Sequence, residues 1–300
     1  MEAETATHAV EEAIAHGEAA MEAAVEHGAA AFDPATSILG HVLDHGTIEI
    51  PFTSIEIPLP QITTPAFDLG GIHVPPIDLS ITKHIVMMWV VAILLMVVFI
   101  SMARKVKDPV PHGMRNAMET LILFIRDEVA RRAIPEGADR FVPYLLTTFF
   151  FILSCNLLGL VPGMATATGN VSVTAGLALF AFFMIQWSGI REYGFFGHMK
   201  NQMPNIPIAL YPLFIVIEFL SNLIRPFVLC IRLFANMMGG HVVILAFISL
   251  IFILGLFAAP IAVFFALFVH FLELLVAFLQ AYIFTMLTAQ FISMSVHPSH

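Results

Sequence analysis

Two stretches near the end of the chain constrain its fold more than anything else in it. From Leu213 to Ala259 the sequence is apolar apart from scattered polar side chains, with one internal proline, Pro226, and residues 261–294 continue in the same way. As single helices these stretches would run roughly 70 Å and roughly 50 Å at 1.5 Å per residue, against a bilayer core about 30 Å thick. Either each breaks into two membrane spans, or each is one long helix tilted far over. Pro260, within "FAAPIA", supplies a turn between them, and Pro226 and the Gly239–Gly240 pair are candidate bends.

The rest of the chain agrees with a membrane reading. Of its 300 residues 59% are hydrophobic and only 12% charged, where a soluble domain carries about 25% charged residues. Long uninterrupted apolar runs argue against a β-barrel, whose strands are short alternating segments. The expected fold class is therefore an all-α polytopic membrane protein. Spans are expected at about 84–103, 142–161 and 172–190, followed by a long tilted hairpin at about 207–259 and 261–296. Between the first two spans, Met118, Leu121, Ile122, Ile125 and Val129 recur at helical spacing with charges opposite. This predicts an amphipathic helix over 113–132 lying on the cytoplasmic face.

Charge divides the chain into two parts, 1–82 and 83–300. Residues 1–82 hold 13 Asp and Glu and no Lys or Arg, whereas 104–140 holds Arg104, Lys105, Lys107, Arg115, Arg126, Arg131, Arg132 and Arg140. The positive-inside rule places 104–140 in the cytoplasm and the acidic segment on the outer side. Arg191 and Lys200 put the 191–205 loop inside again, and leave "PGMATATGN" as a short outer connection. Residues 48–79, with "IEIPFTSIEIPLP", read as extended chain or a short hairpin over the outer membrane surface. Residues 1–31 have neither the basic nor the apolar region of a signal peptide and no Arg-rich transit character, which favours a bacterial inner membrane. His8, His16 and His27 are spaced by 8 and 11, which builds no tight ligand set; a solvated acidic tail is expected there.

No Walker A loop, Gly-rich dinucleotide fingerprint or Cys/His metal spacing occurs. Cys155 and Cys230 lie in apolar stretches and read as buried free thiols. The chain is expected to use no cofactor or metal, to bind no nucleic acid and to catalyse no covalent chemistry.

Ionisable groups are rare in the last third. After residue 202 the charged residues are Glu218, Arg225, Arg232 and Glu273. Glu218, Arg225 and Arg232 are seven apart, so they lie along one helical stripe, with Asn222 and Asn236 near it. His241, nine residues beyond Arg232, falls on the opposite face. On the last segment Glu273 and Gln280 are again seven apart, and His270 stands one turn before Glu273. Interhelical polar contacts that pin helices together would explain such groups structurally. A line of Glu, His, Asn and Gln at membrane depth is also what a proton or ion path requires. An arginine with no carboxylate at its own level is a poor staple and suits a partner on another chain.

At "IRLFANMMGGHV" the sequence resembles the a subunits of F-type ATP synthases. "FIVIEFLSNLIRPFVLCIRLFANM", "LQAYIFTMLTAQFISMSV", "NLLGLVPG" and "GNVSVTAGLAL" resemble further family motifs in order, so that the likeness covers about 84–296. The resemblance implies that the last two helices form a tilted hairpin against the ring of c subunits. It further implies that Arg232 faces the ring carboxylate, lowers its pKa and separates two half-channels. Many family members have Glu where this chain has His241, and His where it has Glu273. The exchange would preserve a His–Glu pair with partners swapped, and so predicts a relay through His241 and Glu273. Asn236 and Gln280 would be its hydrogen-bonding neighbours. Glu218 and Asn222 would line the cytoplasmic half-channel, with Arg225 and His270 accessory. Implied partners are the c-ring, the b subunits of the peripheral stalk, the rest of the synthase and the lipid bilayer, with ATP chemistry on other subunits. The N-terminus would be outside and the C-terminus cytoplasmic. The coupling ion, proton or sodium, stays open, since the ring selects it. A secondary transporter is the competing reading, but such proteins usually carry internal repeats, and "RLFAN" occurs once.

Overall fold

The computed structural model of the chain describes residues 47–49, 56–58, 60, 67–69, 72–74, 80, 82–104, 113–161, 164, 166–201, 211–255, 257 and 259–297. The readings made for residues 1–31, for Lys105 and Lys107, and for the Glu218 side chain lie outside the described residues. The chain forms two units, Met1–Leu43 with His241–Val269, and Asp44–Gly240 with His270–His300.

The larger unit begins with two short antiparallel ladders. β1 (Thr47–Glu49) pairs with β2 (Glu56–Pro58), and β3 (Phe67–Leu69) with β4 (Ile72–Val74). Ile48 faces Ile57 across the first, and Pro58 sits at its end, where a missing N–H costs the ladder least. The alternating residues thus make hairpins, and the membrane part alone is all-helical.

α1 (Lys83–Arg104) is 22 residues long, about 33 Å. Only His84 and Val91 of it are buried, while Trp89, Ile93, Met96 and Val97 are exposed, as lipid-facing side chains would be. α2 (Met114–Phe124) continues through a π-helical segment, Ile125–Ala130, and a last turn, Arg131–Ala133. Its apolar stripe meets protein: Ile125, Val129 and Ala130 are buried in the main core, and Met118, Leu121 and Ile122 pack on it. The surface helix expected here is therefore covered over its C-terminal half by the protein itself. Its outer side carries ion pairs, Arg126 and Arg131 to Asp127, Arg131 to Asp139, and Arg132 to Glu128. The Arg126 hydrogen bond, with the nearby guanidinium charges, holds the Asp127 carboxyl below the usual carboxylate range.

α3 (Val142–Gly159) is the central helix, burying Leu145, Phe149, Phe150, Ile152, Leu153, Cys155, Asn156 and Gly159. Cys155 is a free buried thiol, as is Cys230. α4 (Val171–Asn201) runs further than the expected 172–190; Gly194, at φ 71°, breaks its helical path, and residues 191–201 are helical rather than loop. Nothing between Val171 and Asn201 is proline, so the charges at Arg191 and Glu192 alone do not end the helix.

α5 (Tyr211–Leu254) and α6 (Ala259–Val296) are each one continuous helix, of 44 and 38 residues, or about 66 and 57 Å. Neither Pro226 nor Gly239–Gly240 breaks α5. In the larger unit, Leu229, Cys230 and Leu233 of α5 meet Ala281, Phe284, Ala289 and Ile292 of α6 in the same core as α2, α3 and α4. Small residues at these crossings let backbones approach closely where lipid gives no hydrophobic drive.

The smaller unit holds the end of α5 and the start of α6. Phe247 and Phe265 stack there with centroids 5.7 Å apart. The chain leaves α5 at Gly255, at φ 77°. Pro260, expected at the turn, instead sits in the first turn of α6, where its missing N–H has no helical partner to lose.

Candidate functional site

α5 presents Arg232 half-buried, one turn before Asn236. Among the described residues, every ion pair lies elsewhere, between Arg126, Arg131, Arg132 or Arg140 and Asp127, Asp139, Glu128 or Glu192. Asn236 Nδ2 donates to Gln280 Oε1 at 2.9 Å, which joins α5 to α6. Gln280 is 2% exposed, and among the described residues its Nε2 finds no acceptor. That is a donor held at depth without a partner, a costly arrangement in protein or lipid.

Seven residues before Gln280, Glu273 is 5% exposed. Its carboxylate lies against the backbone of Gly240: a Cβ built there would stand 2.6 Å from Glu273 Oε1 and 2.8 Å from its carboxyl carbon. Any side chain would displace the carboxylate, so the second glycine of "MMGGHV" is what lets α5 lie against it. The sequence reading treated Gly240 only as a candidate bend. The signal for its real role was its place directly before His241 on a helix that already carried Arg232 and Asn236.

The remaining residues are distributed as follows. His241 follows Gly240 in α5 and is half-buried; His270, one turn before Glu273 in α6, is also half-buried. Asn222 accepts a hydrogen bond from Arg225 Nη1 at 3.2 Å, and the Arg225 guanidinium lies over the Phe291 ring, 5.3 Å from its centroid. Arg225 therefore ties its stretch of α5 to α6 by a cation–π contact. Glu218 is a residue of α5.

A second polar group escaped the sequence reading. Asn156 of α3, fully buried, donates from Nδ2 to the Ala277 carbonyl of α6 at 3.2 Å and accepts at Oδ1 from the Thr168 hydroxyl at 2.7 Å. Ala277 is one turn beyond Glu273. The asparagine stands in "NLLGLVPG", where a lone amide within an apolar helix is the signal available.

Among the described residues five helices are long and apolar enough to cross a membrane. Together with a buried carboxylate, two interhelical amides and an arginine that forms no ion pair among the described residues, they define a multi-pass membrane protein that carries ionisable groups within its apolar helices. A family profile described as "ATP synthase A chain" matches residues 85–293. The chain is 45% identical over 294 residues to the ATP synthase subunit a of Chloroherpeton thalassium, covering 95% of this chain and 85% of that one. It is 47% identical over 245 residues to the ATP synthase subunit a of Myxococcus xanthus, covering 80% and 81%. It is 42% identical over 269 residues to the "ATP synthase subunit a 2" of Chlorobaculum tepidum, covering 87% and 73%. The chain belongs to the ATP synthase A chain family, the a subunits of F-type ATP synthases.

Proposed function

We propose that this chain is the stator half of a rotary proton motor, in which Arg232 gates two offset half-channels against a ring of c subunits. Protons reach the ring from the outer side through a relay of His241 and Glu273, with Asn236 and Gln280 as hydrogen-bonding neighbours. After nearly a full turn the ring carboxylate meets a cytoplasmic half-channel lined by Glu218 and Asn222. There Arg232 favours the ionised carboxylate and forces release of the proton. The α5–α6 hairpin lies tilted along the ring, which reconciles helices of 44 and 38 residues with a bilayer about 30 Å thick. ATP chemistry belongs to other subunits, and the b subunits of a peripheral stalk hold this chain against rotation. The N-terminus is outside a bacterial inner membrane and the C-terminus in the cytoplasm. The acidic segment 1–82 then faces the side from which protons arrive, where its field gathers cations or its surface meets a neighbouring subunit.

One observation carries the reading: Arg232 lies in a helix long and apolar enough to cross a membrane, with all described ion pairs elsewhere, beside an amide pair that joins α5 to α6. Interhelical polar bonds contribute about 0.6 kcal/mol on average in a membrane, which is too little to offset placing an arginine there, at about 2.5–3.5 kcal/mol. The test is ATP-driven proton pumping and passive proton leak in vesicles carrying the assembled complex. Arg232→Ala should abolish coupled pumping. Unchanged pumping would reduce the arginine to a helix staple and overturn the reading. Repeating the wild-type measurement with sodium in place of a proton gradient reports the coupling ion directly.

A further inference from the structure

The cluster around Asn156 continues away from α6 and ends on a histidine outside the mechanism above. His84, the second residue of α1, is 5% exposed. Its ring Nδ1 lies 3.0 Å from the Thr166 carbonyl oxygen. A carbonyl only accepts, so Nδ1 carries the proton and donates. Thr166 in turn donates from its hydroxyl to the Gly159 carbonyl at 3.2 Å. It packs so closely on Gly159 that a Cβ there would stand 2.6 Å from Thr166 Oγ1. Two residues further on, Thr168 donates to Asn156, and Asn156 to Ala277.

The connection 166–168 is thus seated on one face of α3 at two points one turn apart, Asn156 and Gly159, and is held from outside by α1. The hydroxyl of Thr168 also decides which way the Asn156 amide points. With Oδ1 occupied by a donor, Nδ2 must face the α6 backbone. Ala277 lies four residues after Glu273 and three before Gln280, so the amide bond anchors the turn of α6 between the relay carboxylate and its hydrogen-bonding neighbour. Displacing the connection would free the Asn156 amide to rotate and loosen that turn.

We infer that His84 is a positioning residue for proton uptake: by holding the 166–168 connection on α3, it fixes the Asn156 amide and with it the stretch of α6 that carries Glu273 and Gln280. This rests on the relay proposed above and assigns it a control point on a different helix. The role proposed for His84 is carried by the donor at the Nδ1 position. Asparagine, whose Nδ2 reaches the same place, should therefore substitute, while leucine should not.

The experiment is ATP synthesis by the assembled complex in vesicles at fixed membrane potential, with the proton concentration varied on the side proposed as outer. His84→Leu should raise the proton concentration for half-maximal rate about three- to tenfold, the scale of one lost buried hydrogen bond, with the maximal rate per assembled complex kept within about twofold. His84→Asn should restore the wild-type value. A lower yield of complex with an unmoved half-saturation point would overturn the inference, because that is what a purely structural cap predicts. Failure of His84→Asn to differ from His84→Leu would overturn it as well. If His84→Leu does not assemble, Thr168→Val removes the donor to Asn156 at nearly constant volume and must give the same shift; no shift there overturns the inference. Arg232→Ala measured alongside separates the two levels: synthesis surviving that change defeats the proposed function on which the inference rests, while its loss beside an inert His84 defeats only the positioning role.

Discussion

Arg232, Asn236 and Gly240 follow one another at four-residue intervals, so α5 turns an arginine, an amide and a bare backbone position to nearly the same side. Asn236 bonds Gln280, and Gly240 admits Glu273. The glycine gives the sharpest prediction at this scale. Gly240→Ala should move the Glu273 carboxylate aside and lower ATP-driven pumping, and Gly240→Val should lower it further, because the end of the glutamate side chain must give way to the added atoms. Pumping by Gly240→Val at the wild-type rate would show that the contact is without consequence. Gln280→Leu removes the acceptor of Asn236 together with a buried donor that lacks a partner, so the two changes in stability oppose each other. The complex should assemble normally while pumping falls, a split that yield and quenching measurements on one preparation resolve. Lysine should not replace Arg232, because a compact ammonium loses the delocalised planar fork and its charge can be shed at depth.

Elements lock together where small residues remove bulk. At Gly189 of α4 an added Cβ would overlap both the His198 ring and Ser295 Oγ, and Ser295 itself bonds the Ile185 carbonyl at 3.0 Å. The kink at Gly194 brings His198 back to within 2.8 Å of Gln186, and Tyr193 donates to the Val296 carbonyl at 2.7 Å. Gly189→Ala should therefore separate α4 from the end of α6 at a cost of about 1–3 kcal/mol, seen as a lower melting temperature of the purified complex. On the outer side of α2 the sign of the pH effect follows from Asp127. Its carboxyl pKa is lowered by Arg126, so the pair's contribution is complete above the ordinary carboxylate pKa and is lost as the pH falls through the lowered value. Since the pair is exposed, Asp127→Asn should leave stability near neutral pH almost unchanged, and thermal denaturation at two pH values checks it. Apolar periodicity located α1 and α3 to within two residues and found the stripe of α2. It missed that this stripe faces protein, because periodicity reports an apolar face and not what covers it.

For the molecule as a whole, the sidedness proposed from charge is open to a direct check. α3 has the membrane-length span Val142–Gly159, with Glu136 exposed before it and Val161 exposed after it. Single cysteines at these two positions, in a background lacking Cys155 and Cys230, should react with an impermeant maleimide from opposite sides of sealed vesicles, position 161 from the outer side. Labelling of both from one side would remove α3 as a span. The sequence by itself determined that this is a multi-pass helical membrane protein, and that Arg232, Asn236, Glu273 and Gln280 belong to its last two long apolar segments. Each of these follows from local quantities: the length of an apolar run, the cost of a charge in hydrocarbon, and the 3.6-residue repeat. Only the tertiary structure decided that α5 and α6 are unbroken, that the chain turns at Gly255 rather than Pro260, and that Asn236 meets Gln280. It alone showed that Gly240 yields its space to Glu273, and that Asn156, Thr166, Thr168 and His84 form one connected group. A contact between residues 44 or 121 positions apart leaves no trace in local periodicity, because it depends on which faces the packed helices turn toward one another.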